Sequence, residues 1–117
     1  MSSEGNGKVA FAIGAARENI RLIQTWATER DLEALKADTL VRYAIERAFI
    51  AIASSIRDIP ADLLAEHRIP AGIIAGFRNA LAHTYDDTLD ERVILTIRVD
   101  LPALDAALSA MAAALKR

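Results

Sequence analysis

The chain has 117 residues and a mass of 12.7 kDa, enough for one domain, and its hydrophobic fraction of 53% includes only 5% aromatics. The apolar mass is therefore Ala, Leu and Ile, a composition of packed helices that excludes an all-β sandwich, and the absence of Cys excludes disulfides, thiolate zinc sites and cysteine nucleophiles. A formal charge of −2 and a pI near 5.6 exclude a whole-molecule field that draws in nucleic acid, so any RNA contact must be local.

Residues 1 to 7 are small and polar and read as a disordered lead-in, with residues 8–117 as a single helical domain. Ile13, Ala16, Ile20, Ile23 and Ala27 recur at helical steps and predict a first helix from about Lys8 to Arg30. A helical turn is expected over Leu32 to Lys36. Asp38 or Thr39 then caps a long helix whose apolar stripe is Val41, Ile45, Ala48, Phe49, Ile52 and Ile56, with Arg42, Glu46 and Arg47 on its other faces. Pro60 ends that segment and Ala61 to His67 reads as a short connecting helix.

Ile69-Pro70 sets proline at the start of a helix running to about His83, where Thr84 to Thr88 supplies turn formers. Leu89 to Lys116 forms the last helical stretch, kinked or divided at Pro102. The β-branched residues Val93, Ile94, Thr96, Ile97 and Val99 make its first half resemble a strand, but no partner strand is evident. Four main helices with short connections predict an antiparallel bundle. No apolar run reaches the ~18 residues of a membrane span, and the N-terminus lacks a signal-peptide layout. A soluble cytoplasmic protein is expected, and the mean hydropathy of +0.21 points to a surface shared with a second subunit.

On the Pro70 to His83 helix, Ile73, Phe77, Leu81 and Thr84 share the arc expected to face the core, while Gly72, Gly76, Asn79 and His83 form a second face that admits another backbone or a ligand. Arg78 and Tyr85 share a third direction. These residue types permit phosphoryl transfer: His83 can move a proton to or from a ribose hydroxyl or a leaving oxygen, and Arg78 can hold the phosphate through two donors. Asn79 can bond a phosphate oxygen or orient the imidazole. One helix splays Arg78 and His83 about 140° apart, so they converge more easily in a groove between two copies. A structural alternative stands beside this. His83 can cap the helix end, Arg78 can lie along the surface, Tyr85 can pack under the loop, Asn79 can be solvated, and the glycines can serve tight helix packing.

Other motifs carry less. Glycine-rich phosphate loops, His-x-x-x-His or Glu-x-x-His metal pairs and Gly-x-Ser-x-Gly elbows are lacking. Ser54 and Ser55 read as packing residues, Glu46 as a salt-bridge or interface residue, and His67 as solvent-exposed. Asp86, Asp87, Asp90 and Glu91 read as caps, with a metal-nucleotide partner as the lesser alternative.

Arg78-Asn79-Ala80-Leu81-Ala82-His83-Thr84-Tyr85 resembles the Arg-x4-His-x-Tyr signature of HepT-like toxins in the HEPN superfamily of helical ribonucleases. Tyr43 to Ala48, Ile69-Pro70, Ala75 to Asn79 and Asp100-Leu101-Pro102 are similar to that family too. The resemblance covers about residues 10 to 115. It implies an all-α HEPN-like bundle and a metal-independent, cofactor-free endoribonuclease toxin acting as a homodimer, with Arg78 and His83 of both subunits meeting at one cleft and Asn79 in support. It further implies a cognate nucleotidyltransferase antitoxin that adds AMP to Tyr85. The alternatives are a non-catalytic HEPN scaffold that binds a nucleotidyltransferase or a nucleotide, and a plain helical interaction module.

Overall fold

The computed structural model describes residues 3–69, 76 and 91–116, which form helices joined by short turns with no strand among them. The chain order is α1 Ser3–Ala27, α2 Leu32–Ala37, α3 Thr39–Arg57, α4 Ala61–Glu66, α5 Glu91–Leu95, a π-helical segment Thr96–Asp100, and α6 Leu101–Leu115.

α1 begins at Ser3, not at Lys8, so residues 3–7 continue the helix instead of forming the expected lead-in. Extending a helix already fixed by buried Val9, Ala12 and Ile13 adds one hydrogen bond per residue ordered, which offsets the weak propensity of Gly5, Asn6 and Gly7. The other end is earlier than the expected Arg30. Glu29 turns into the left-handed region at φ 66°, and the Arg30 amide donates to the Ala27 carbonyl.

The core forms where the sequence stripes meet. Ile13, Ala16, Ile20 and Ile23 of α1 are buried together with Ile45, Ala48, Phe49, Ile52 and Ile56 of α3 and with Leu101, Leu104, Leu108 and Met111 of α6. α1 packs against both α3 and α6, and α2 lies on α3 through buried Leu35. Removing each of these large aliphatic side chains from water contributes roughly 1.5 to 3 kcal/mol, so the three stripes are what hold the helices side by side. Val41 and Ala27, the outermost stripe members, pack on this core only partly buried.

Side-chain caps set the starts. Asp31 accepts from the Ala34 amide at 2.9 Å and Asp38 from the Val41 amide at 3.1 Å, each at the foot of its helix. Pro60 is the N-cap of α4, and its carbonyl accepts from the Leu63 and Leu64 amides. α4 closes in a Schellman motif: the Arg68 amide donates to the Ala65 carbonyl, the Ile69 amide to the Leu64 carbonyl, and Arg68 takes the left-handed position at φ 56°. Buried Ile69 and half-buried Leu64 seal the turn.

The last stretch is neither a strand nor two separate helices. α5 and α6 are joined by five π-helical residues, in which the Leu101 amide donates to the Thr96 carbonyl instead of to the α-helical acceptor one residue later. Pro102 gives the reason. An α-helix would press its ring against the Arg98 carbonyl, for which it has no N–H, and the wider turn relieves both conflicts without breaking the helix. The β-branched residues lie on this helical rod, with Val93, Thr96 and Ile97 buried and Val99 exposed.

Candidate functional site

Arg78, Asn79, His83 and Tyr85 lie outside the described residues, as do Gly72, the arc of Ile73, Phe77, Leu81 and Thr84, and the acidic run Asp86, Asp87 and Asp90. The described residues give the frame around that segment. Ile69, locked by the Schellman turn of α4, delivers the chain to Pro70, and α5 receives it at Glu91.

Between those two ends, Gly76 is the described member of the Gly72, Gly76, Asn79 and His83 stripe. A Cβ on it would sit 3.2 Å from Asp100 Oδ2 and 3.5 Å from Thr96 Oγ1. What the missing side chain of Gly76 leaves room for is therefore the Asp100 carboxylate and the Thr96 side chain of the protein's own π segment. Buried Thr96 and half-buried Asp100 thus place a hydroxyl and a carboxylate directly against Gly76, which precedes Arg78 by two residues in the sequence. The π-helical bulge that presents them is a local irregularity of the kind that recurs at functional sites.

Elsewhere the described surface is poor in acid-base chemistry. No group of three or more His, Asp or Glu suited to a metal ion occurs among the described residues. A groove of about 370 Å³ between α1 and α6 is lined by Ala10, Ile13, Ala112 and Leu115 with Arg17 and Lys116, and holds no carboxylate or imidazole to move a proton. Arg17 is itself engaged, its Nε donating to Asp105 Oδ1 at 2.9 Å. On the outer face of α1, Arg21 donates to both carboxylate oxygens of Glu18, and that hydrogen bonding holds the Glu18 carboxyl below its ordinary value. His67, expected in solvent, is half-buried at the C-cap of α4, its amide turned to the Ala65 and Leu63 carbonyls. Ser54, read as a packing residue, is exposed, while Ser55 and Glu46 are half-buried.

One surface feature has a sequence signal distinct from the inner stripes. Leu40, Tyr43, Arg47, Ile50, Ser54 and Arg57 follow one another at alternating steps of three and four, and all six are exposed along the outer face of α3. The Arg42 guanidinium lies 5.4 Å from the centre of the Tyr43 ring. Heptad spacing offset from the buried stripe would have found this face.

Among the described residues, no helix is long and apolar enough to cross a membrane. In comparisons with known proteins, neither a curated protein nor a solved structure matches. A family model described as "Ribonuclease HepT-like" matches residues 16–111, a span running from within α1 into α6 and containing the whole Arg78 to Tyr85 segment. The chain belongs to the HepT-like ribonuclease family.

Proposed function

We propose that the protein is a metal-independent endoribonuclease, the toxin of a toxin-antitoxin pair, in which His83 transfers protons and Arg78 steadies the phosphate. The observation that carries this reading is the family match across residues 16–111, joined to the residue types at 78, 79, 83 and 85. In the reaction, the ribose 2′ oxygen attacks phosphorus and the bond to the 5′ oxygen breaks. One imidazole accepts the 2′ proton and one imidazolium supplies a proton to the departing oxygen. The two roles need one neutral and one protonated ring, and histidine is the side chain that offers both. Two copies of His83 facing one cleft in a homodimer supply the pair, and the Arg78 guanidiniums stabilise the charge that grows on the non-bridging oxygens. Asn79 orients the imidazole or the phosphate.

Silencing follows from the same cleft. An AMP group on Tyr85, two residues after His83, adds bulk and negative charge where an RNA phosphate must enter. A cognate nucleotidyltransferase is the partner with that chemistry, and the cytoplasm, where RNA and ATP are found, is the compartment.

The test is RNA cleavage by the purified chain and by His83→Ala and Arg78→Ala. Each substitution should lower the rate by roughly two orders of magnitude or more. Wild-type protein that binds RNA or a nucleotidyltransferase but never cuts, with Tyr85 unmodified, would favour the non-catalytic scaffold.

A further inference from the structure

We infer that the outer face of α3 is a track for single-stranded RNA, with Arg47 and Arg57 on backbone phosphates and Tyr43 under a base. This rests on the ribonuclease reading above and deepens it by naming where substrate lies beyond the scissile bond. With a net charge of −2, the chain can hold an anionic strand only where cations stand unneutralised. Among the described residues, Arg17, Arg21 and Arg30 are each paired with a carboxylate, on Asp105, Glu18 and Asp38 respectively. Arg47 and Arg57 are exposed and pair with no carboxylate among the described residues. Lys8, Lys36, Arg68, Arg98 and Lys116 are likewise without one there, but each stands on a different element, whereas Arg47 and Arg57 share one helix.

They stand on one stripe with Tyr43, which is 56% exposed, and with exposed Leu40, Ile50 and Ser54, and no acidic residue belongs to that stripe. Its acidic neighbours are half-buried Glu46, three residues after Tyr43 and four before Ile50 on the helix, and Asp58 at the C-cap of α3. Ten residues of helix separate the two guanidinium-bearing positions by about 15 Å, a length a short single strand can follow. Tyr43 offers a π-face with Arg42 beside it, a pairing that accepts any base. Leu40 and Ile50 supply apolar contact on either side. Charge favours RNA over a second copy of this face, because two copies would set arginine stripes against each other.

The measurement is fluorescence anisotropy with a labelled single-stranded RNA of about 12 nucleotides, 2′-O-methylated throughout so that it cannot be cut. Arg47→Glu/Arg57→Glu should weaken binding roughly tenfold or more and flatten the plot of log K against log salt by about 1.4, the slope of two lost phosphate contacts. Tyr43→Ala should weaken it about fivefold or more. The charge-matched control Lys8→Glu/Arg21→Glu, on exposed positions of α1, should change it by less than about twofold. Equal losses in the α3 variant and the control, or no loss in the α3 variant while wild type binds and cuts RNA, overturn the track and leave the ribonuclease reading intact. So does an Ile50→Ser variant that changes the sedimentation coefficient but not RNA affinity, which would assign the face to a protein. Wild type that neither binds nor cuts RNA overturns both.

Discussion

Among the described residues, Phe49 of α3 is the largest of the fully buried side chains, in the core that α3 shares with α1 and α6. Phe49→Ala should cost about 3 to 5 kcal/mol, from lost transfer free energy and the cavity left behind, read as a lower urea midpoint at unchanged slope. Asp38 acts at the other end of the energy scale. Its carboxylate caps α3 and lies 3.9 Å from the Arg30 guanidinium, in a partly exposed setting where the ion pair adds little and the cap is the larger part. Asp38→Ala should lower stability by about 1 kcal/mol in the same assay. Glu18 gives the sign of the acid response. The Arg21 hydrogen bond lowers its folded pKa from 4.5, so its stabilising effect is present above that value and fades as pH falls through the lowered one. Glu18→Gln should therefore narrow the difference between melting temperatures at neutral and acid pH, and a widened difference would reverse the assignment.

Among the elements, the inner stripes of α1 and α3, the Asp38 cap and the short connecting helix were legible in the sequence because each follows from local spacing or from one side chain reaching one amide. The π segment was not, because proline announces only that the α-helical pattern cannot run through it. Whether the chain kinks, breaks or widens depends on Leu101 and Leu104 being held in the same core as Val93 and Ile97. The left-handed turns at Glu29 and Arg68 were equally hidden, since neither is the glycine that signals such a cap. Arg68→Gly should relieve the left-handed strain and raise stability by up to about 1 kcal/mol, seen as a higher melting temperature. Gly76 carries the opposite expectation. Gly76→Val places atoms where Asp100 Oδ2 and Thr96 Oγ1 already stand, and should cost about 1 to 3 kcal/mol. Asp100→Ala in the same chain should recover part of that loss, whereas strictly additive effects would mean the two positions do not touch.

At the scale of the whole molecule, the helical class and the family were legible in composition and in one eight-residue segment, and the family match spans that segment. The exposed stripe of α3 was legible as a heptad offset from the buried one, but that it stays uncovered follows only from how the helix docks. A Schellman turn before Pro70 and α5 from Glu91 flank in sequence the residues proposed to act on RNA, and the π segment lies against Gly76. Sedimentation of the intact chain should give about twice 12.7 kDa, since a single helix splays Arg78 and His83 apart and two copies can bring them together. The central claim is chemical, and the 3′ ends of the RNA fragments report it most directly. Unmodified wild-type protein in EDTA should leave 2′,3′-cyclic phosphates, and His83→Ala should leave almost none. Fragments ending in a 3′ hydroxyl, or cleavage that stops in EDTA, would contradict it.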